Sequence, residues 1–362
     1  MSSQNNKEYK QFLNKYLTLN PFHLKKKQKF NLFKNGMNIL TKYHYLNNKI
    51  YKKLIDKFNF NLSKNNEIEK LPFLPVTVFK NFEIFTSDLK EIDTIATSSG
   101  TSNKKISKIF LDKNNSLNQI RVLNKILTNY FGNKKYPMLV LSRKPKVKLE
   151  HMNAKLAAIK GFSVIASEIF YCLDEYDYLD TDVLKKFASH PSKRKYIFGF
   201  TADIWQKFYL SKIKFNKKVN LSNVTIIHGG GWKKLENLKV DNLTFKNKIK
   251  KKFKIKKIIN YYGMIEQTGS IFLECDECNN FFPSIYSDIF IRDENLKTIN
   301  NKLGLIQLMS LLPTSYPGHN ILTEDIGQIV FKKCKHCNSR NLKQFKVHGR
   351  VKNSEIRGCS NI

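Results

Sequence analysis

The sequence predicts an α/β fold with a helical lead-in and a β-rich close, and three observations along its 362 residues carry that reading. Between Pro137 and Gly263, short apolar runs alternate with stretches of helical spacing, the pattern of a largely parallel sheet with buried strands. Before it, residues 8 to about 60 carry apolar side chains at helical intervals. Beyond Gly269, strand-like runs follow one another with no convincing helix between them. The chain therefore divides into a helical N-terminal region over 1–70, an α/β core over 71–268, and a β-rich subdomain over 269–362 that ends in a truncated C-terminal tail.

In order along the chain, Phe12, Leu13, Tyr16 and Leu17, then Ile50, Leu54, Ile55 and Phe58, mark helices expected to pack on a later domain. Leu71-Pro72-Phe73-Leu74-Pro75 breaks that pattern and reads as a linker, because each proline removes a donor and pushes its predecessor out of the α region. Thr97 to Lys105 follows, a turn with five hydroxyls around Gly100 and two lysines at its end, a composition suited to phosphate. It lacks Walker spacing, which disfavours a P-loop NTPase. Next come a strand over 106–111 and a helix over 116–131, with apolar Ile120, Leu123, Ile126, Leu127 and Tyr130 before Gly132. Core strands are expected over 138–141, 162–166, 196–200, 224–227 and 258–262, and later strands over 285–292, 303–309, 326–331 and 345–348.

A formal charge of +35 invites a nucleic-acid partner. The basic residues, however, are 57 lysines and 7 arginines, and arginine is the residue that fork-shaped phosphate and base recognition favours. The dense run from Lys248 to Lys257 interleaves Ile249, Phe253 and Ile255, as a lysine-covered amphipathic segment does. No specific nucleic acid is expected as a partner. A zinc-containing basic nucleic-acid-binding protein is the alternative from another class. No apolar run approaches the ~20 residues of a membrane span, and no signal-peptide stretch is seen at the start, so a cytoplasmic location is expected.

Two Cys-x-x-Cys pairs, Cys275 with Cys278 and Cys334 with Cys337, hold four of the six cysteines. Four thiolates at this spacing suit a closed tetrahedral, structural Zn²⁺ site. Asn279 and Asn338, directly after the pairs, tolerate the left-handed backbone of such turns. Cys172 reads as packing.

Four motifs stand at the ends of expected strands, where open α/β sheets place ligand loops: the loop at Ser98, His228-Gly229-Gly230-Gly231-Trp232, Tyr261-Tyr262-Gly263-Met264-Ile265-Glu266-Gln267, and Leu322-Thr323-Glu324-Asp325-Ile326-Gly327. Their order resembles the adenylate-forming superfamily of acyl and aminoacyl ligases. Leu71-Pro72-Phe73-Leu74-Pro75 with Phe79-Lys80, Gly229-Gly230-Gly231-Trp232, Tyr316-Pro317-Gly318-His319 and Glu355-Ile356-Arg357-Gly358-Cys359-Ser360 narrow the resemblance to the LuxE fatty-acyl-protein synthetases, relatives of phenylacetate-CoA ligase.

The resemblance implies the large domain of an adenylate-forming ligase that activates a carboxylic acid, a fatty acid in the LuxE case, with ATP and Mg²⁺ and passes it from acyl-AMP to a thiol. It assigns the pyrophosphate end of ATP to Ser98, Ser99, Gly100, Thr101 and Lys104, and the adenine and acyl pockets to Gly229, Gly230 and Gly231. Tyr262, followed by Gly263, would stack on adenine, Glu266 would hold Mg²⁺, Asp325 would accept the ribose hydroxyls, and Arg350 would add a donor. Ile265 stands where the family carries threonine, with Thr268 nearby as a replacement hydroxyl. Cys359 would take the acyl group as a thioester, with an acyl-acceptor or reductase partner, or a carrier protein, receiving it next. Transfer to CoA or a carrier protein, as in a phenylacetate-CoA ligase, is the alternative within the superfamily.

Overall fold

The computed structural model describes residues 2–58, 60–62, 65–98, 105–145, 151–211, 220–232, 238–331, 334–338 and 343–351. Its first elements are α1 (Ser2–Thr18), α2 (Lys26–Asn47) and α3 (Lys49–Ile55). These helices do not stand apart. Tyr9, Leu13, Tyr16, Phe33, Met37 and Leu40 are buried in one cluster with Tyr286, Leu311 and Leu312 from the other end of the chain. The Tyr9 and Tyr16 hydroxyls donate to the carbonyls of Leu311 and Ile285. A Cβ on Gly36 would meet Phe12 at 2.5 Å and Leu311 at 2.8 Å, so glycine sets how closely α2 approaches its neighbours.

The expected linker is built into the sheet instead. Leu74 and Pro75 form β1 (Leu74–Pro75), parallel to Ile321 and Leu322, and the Pro72 carbonyl accepts from Asn320 Nδ2 at 3.0 Å. Proline forbids donation but leaves its carbonyl and apolar ring available for pairing and burial. After α4 (Val78–Asn81) come β2 (Ile92–Thr97), β3 (Lys108–Asp112), α5 (Lys113–Phe131), β4 (Tyr136–Val140), β5 (His151–Asn153) and α6 (Ala154–Phe162). Asp112 caps α5 by accepting from the Asn115 amide, and Gly132, with φ of 91°, closes it. The strand expected over 162–166 is the end of α6 and a 3₁₀ turn over Ser163–Ile165, and β6 (Ala166–Tyr171) begins only at Ala166. Asn153 caps α6 and Phe162 and Ile165 are buried from helical turns, so here a short apolar run did not distinguish strand from helix end.

The chain continues through α7 (Thr181–Ser189), β7 (Lys195–Phe200), α8 (Thr201–Asp203) with a π-helical turn over Ile204–Tyr209, β8 (Val224–Gly229), α9 (Asn242–Phe253) and β9 (Lys257–Tyr262). Strands β6, β4, β7, β8 and β9 lie side by side in that order, all parallel. Their side chains alternate between two cores. Met138, Val140, Tyr196, Phe198, Ile227 and Ile259 face one cluster, and Leu139, Leu141, Ile197, Ile226 and Ile258 face the other, as a sheet covered on both sides requires. In the lysine-rich run, Ile249, Phe253 and Ile255 are buried, which matches the amphipathic reading.

The strands after β9 extend the same sheet. They are β10 (Phe272–Glu274), β11 (Phe281–Phe282), β12 (Ser287–Arg292), β13 (Thr298–Ile299), β14 (Gly304–Ser310), β15 (Asn320–Val330) and β16 (Gln344–Arg350), with α10 (Lys335–Asn338) between the last two. Among the described residues the sheet has 13 strands, and β2, β3 and β5 form a second sheet of three. Among the described residues no helix is long and apolar enough to cross a membrane.

Candidate functional site

The C-terminal ends of β8 and β9 carry the second and third motifs. At the end of β8, a Cβ on Gly229 would lie 2.5 Å from the Tyr261 ring, Gly230 takes φ of 76°, and a Cβ on Gly231 would meet nothing within 4 Å. Three glycines thus have three reasons: ring clearance, backbone reversal and open space. Beneath them His228 is buried. Thr201 Oγ1 donates to the Gly229 carbonyl at 3.1 Å and lies 3.0 Å from His228 Nδ1, so the ring nitrogen is the donor in that second contact. His228 Nε2 is buried with no hydrogen-bond partner among the described residues, and burial pushes the imidazole pKa down to about 3.

At the end of β9 the Tyr262 hydroxyl donates to Asp325 Oδ2 at 2.7 Å, while Arg350 Nε donates to Asp325 Oδ1 at 3.0 Å. Asp325 and Arg350 are cross-strand partners on β15 and β16. The Tyr262 ring packs with Phe272, Phe281 and Phe345, and burial together with the Asp325 charge holds its phenol well above the ordinary value. Asp325 is held in turn by its neighbour Thr323, whose hydroxyl accepts from the Asp325 amide at 3.1 Å and donates to the Ile306 carbonyl at 2.8 Å. Three residues from distant parts of the sequence are therefore one hydrogen-bonded unit. Lys80 pairs with Glu324, next to Asp325, at 3.5 Å.

The loop after β9 presents Glu266. It is buried, and no described residue donates to its carboxylate or pairs with it, an arrangement that leaves a hard oxygen donor free for a cation. The loop itself is fixed around it. Gln267 Nε2 donates to the carbonyls of Leu308 at 2.8 Å and Gly318 at 3.1 Å, and Ser270 Oγ donates to Gln267 Oε1 at 2.5 Å. A Cβ on Gly263 would press on Ile271 at 2.8 Å and on the Ser270 carbonyl at 3.0 Å. Thr268, which the sequence offered as a replacement hydroxyl, lies inside this network: its amide donates to Tyr316 Oη at 2.9 Å and its hydroxyl accepts from Asn115 Nδ2 at 3.2 Å.

Of the expected phosphate loop, Ser98 is described. Its amide donates to the Ser107 carbonyl at 3.1 Å and its hydroxyl accepts from the Ser107 amide at 2.9 Å, so Ser98 closes the neck of the loop. Ser99, Gly100, Thr101 and Lys104 lie outside the described residues, as does Cys359.

The four cysteines converge. Their sulfurs all lie within 4.8 Å of one another, with Cys275 and Cys334 at 3.9 Å and Cys278 and Cys337 at 3.7 Å. This cluster could hold a metal ion. A bond from Cys337 lowers the Cys275 thiol to about 4, while burial pushes Cys278 up to about 11. Asn279 has φ of 55°, the left-handed turn expected of it, whereas Asn338 ends α10 in helical conformation. Cys172 is fully buried and its thiol is pushed up to about 12 by that burial, consistent with packing.

Behind the cysteines is a buried link that the sequence reading missed. Lys246 Nζ lies 2.6 Å from Glu274 Oε2 and donates to Asn279 Oδ1 at 2.7 Å, and Glu274 also accepts from Asn242 Nδ2 at 2.6 Å and from the Asn260 amide at 2.9 Å. One signal was available: an acidic residue, Glu274, closing the apolar run Ile271-Phe272-Leu273 directly before Cys275.

The profile of the acyl-protein synthetase family LuxE matches residues 5–362. The chain belongs to the LuxE family. LuxE membership makes it an acid–thiol ligase of the acyl-activating kind. A long-chain-fatty-acid–luciferin-component ligase of Aliivibrio fischeri is 24% identical over 298 residues, spanning 79% of this chain and 76% of that protein. Among solved structures, an open conformation of 2-hydroxyisobutyryl-CoA ligase bound to 2-HIB-AMP and CoA superposes with a TM-score of 0.70 at 12% identity, covering 92% of this chain and 77% of its own. The same ligase in its thioesterification state gives 0.68 at 11% identity over 92% and 70% of the two chains. These neighbours show a mixed α/β fold that resembles adenylate-forming ligases.

Proposed function

We propose that this LuxE-family enzyme uses ATP and Mg²⁺ to convert a carboxylic acid, a fatty acid by family resemblance, into acyl-AMP, and then passes the acyl group to a protein thiol. The observation that carries the reading is the Tyr262–Asp325–Arg350 unit, in which one carboxylate joins an aromatic plate to a cation at the end of the parallel sheet. Asp325 would accept from the ribose hydroxyls, Tyr262 would lie against the adenine, and Arg350, bonded to Asp325 through Nε with its side chain 69% exposed, would add a donor to the nucleotide through its remaining N–H groups. Gly229, Gly230 and Gly231 would line the adenine and acyl pockets, with open space at Gly231, Glu266 would hold Mg²⁺, and Ser98, Ser99, Gly100, Thr101 and Lys104 would hold departing pyrophosphate. Mg²⁺, when bound, would neutralise charge on the phosphates during attack by the substrate carboxylate.

The thiolate of Cys359 would attack the acyl carbon of acyl-AMP, forming the thioester and expelling AMP, and an acceptor or reductase partner would take the acyl group from it. The four-cysteine cluster would hold a structural Zn²⁺. With this reading goes the division into a helical region over 1–70, a nucleotide-binding core over 71–268 and a metal-bearing remainder over 269–362. Intact mass after incubation with ATP, Mg²⁺ and a panel of acids tests the thiol step. The expected result is a hydroxylamine-sensitive acyl adduct on wild-type protein and none on Cys359→Ser. An adduct that persists in Cys359→Ser removes Cys359 from the reaction, and turnover with CoA alone selects the CoA-ligase alternative.

A further inference from the structure

Tyr262 and its partner Asp325 sit on opposite sides of a weak seam in the large sheet. Tyr262 closes β9, Asp325 and Arg350 belong to β15 and β16, and only β10 and β11 lie between them. Two Cα pairs join β9 to β10, two join β10 to β11, and one joins β11 to β16. By comparison β15 and β16 share six pairs and β8 and β9 share five. Strand pairs this short are marginal without outside support.

The support is visible at one end of the seam. Cys275 and Cys278 occupy the connection from β10 to β11, and Cys334 and Cys337 occupy the connection from β15 to β16, so the cluster ties the two sides together. On the β9 side, Glu274 ends β10 and its carboxylate takes the Asn260 amide, a strand donor that no longer has a backbone partner from β10. Lys246 holds that carboxylate and reaches into the cysteine turn at Asn279. On the far side, Gln344, the first residue of β16, accepts through Oε1 from Asn280 Nδ2 at 2.9 Å, and that oxygen lies 3.3 Å from Cys278 Sγ. Glu274 and Gln344 thus lie on strands that pair with, or carry, part of the nucleotide unit, and Lys246 of α9 holds the first of them.

We propose that the metal-loaded four-cysteine centre fastens this seam and thereby keeps Tyr262 within reach of Asp325, with Glu274, Lys246 and Gln344 as positioning residues for ATP. The proposal rests on the reading of Tyr262, Asp325 and Arg350 as nucleotide ligands. It differs from a purely structural metal in one consequence: metal occupancy and nucleotide affinity are coupled.

Titration of Mg-ATP into the full chain by calorimetry, before and after metal removal with a chelator and again after Zn²⁺ is restored, tests the coupling, with Co²⁺ substitution reporting tetrathiolate coordination by its visible absorption. Stripped protein is expected to keep its far-ultraviolet circular dichroism, to bind ATP at least ~10-fold more weakly, and to recover when Zn²⁺ returns. Gln344→Ala is expected to keep its metal and still raise the KM for ATP, with kcat changed less than KM. Undiminished ATP affinity in stripped protein overturns the proposal. Should stripping unfold the chain, Gln344→Ala decides, and a variant with full metal content and unchanged ATP affinity overturns it equally. A protein that gives the Co²⁺ signature but binds no ATP when loaded contradicts the nucleotide reading instead, and one that binds ATP yet takes up no metal contradicts the fastening.

Discussion

Asp325 is the residue on which the nucleotide reading turns, since it bonds to both Tyr262 and Arg350. Asp325→Asn keeps the shape and removes the charge. Loss of charge-assisted bonds of about 1.5–3 kcal/mol should raise the KM for ATP by 10-fold or more, while the melting temperature moves little, because the Arg350 side chain is largely exposed. Steady-state kinetics at varied ATP checks it, and an unchanged KM counts against ribose binding by Asp325. Lys246 and Glu274 behave in the opposite way, being buried at 4% and 0% side-chain exposure. Removing one partner strands a buried charge, so Lys246→Met should lose roughly 3–5 kcal/mol of stability, and Lys246→Met with Glu274→Gln should regain most of it. Denaturant unfolding of both variants tests this. Gly229→Ala should lose about 1–3 kcal/mol, because its Cβ would drive into the Tyr261 ring at 2.5 Å.

At the scale of elements, the N-terminal helices join the sheet through buried histidines. His44 on α2 stacks on His319 with 4.8 Å between centroids, and its two ring nitrogens meet Thr86 Oγ1 at 2.8 Å and the Pro313 carbonyl at 2.9 Å. His319 Nε2 lies 3.0 Å from Thr41 Oγ1. Burial pushes His44 and His228 down to about 3 and holds His319 well below its ordinary value. The folded protein therefore keeps all three neutral while the unfolded chain protonates near pH 6.5. Their contribution is fully present above that pH and is lost as pH falls, by about 1.4 kcal/mol per unit for each group. Melting temperature should drop steeply from pH 7 to pH 5, and His44→Gln should flatten the slope. A flat profile would show that these rings are already hydrated.

Much of the architecture was legible for a physical reason: strands buried on both faces are apolar without interruption, and the runs near 196–200, 224–227 and 258–262 became β7, β8 and β9. The paired cysteines were equally plain, since two residues of one turn suffice to set each half of the cluster. Phe162 misled because an apolar run that ends a helix looks like one that starts a strand. Leu71 to Pro75 misled because proline reports what it cannot donate and is silent on what packs around it. The Lys246 and Glu274 link, 28 residues apart, and the Tyr262 and Asp325 bond, 63 apart, depend on which strands become neighbours. Local spacing carries no such information; motif order indicated the second pair, and for the first only the acid before Cys275 stood out, with nothing to name Lys246 as its partner.

Taken as a whole molecule, a +35 chain with parallel strands, a bonded Tyr262, Asp325 and Arg350 set and a four-cysteine cluster has two readings that involve phosphate: a bound nucleotide or a nucleic-acid backbone. Acid-dependent exchange of labelled pyrophosphate into ATP separates them most directly. The account expects exchange that requires Mg²⁺ and at least one carboxylic acid in the panel and that weakens in Asp325→Asn through the KM for ATP. No exchange with any acid tested, alongside tight and salt-sensitive binding of RNA or DNA, would contradict it.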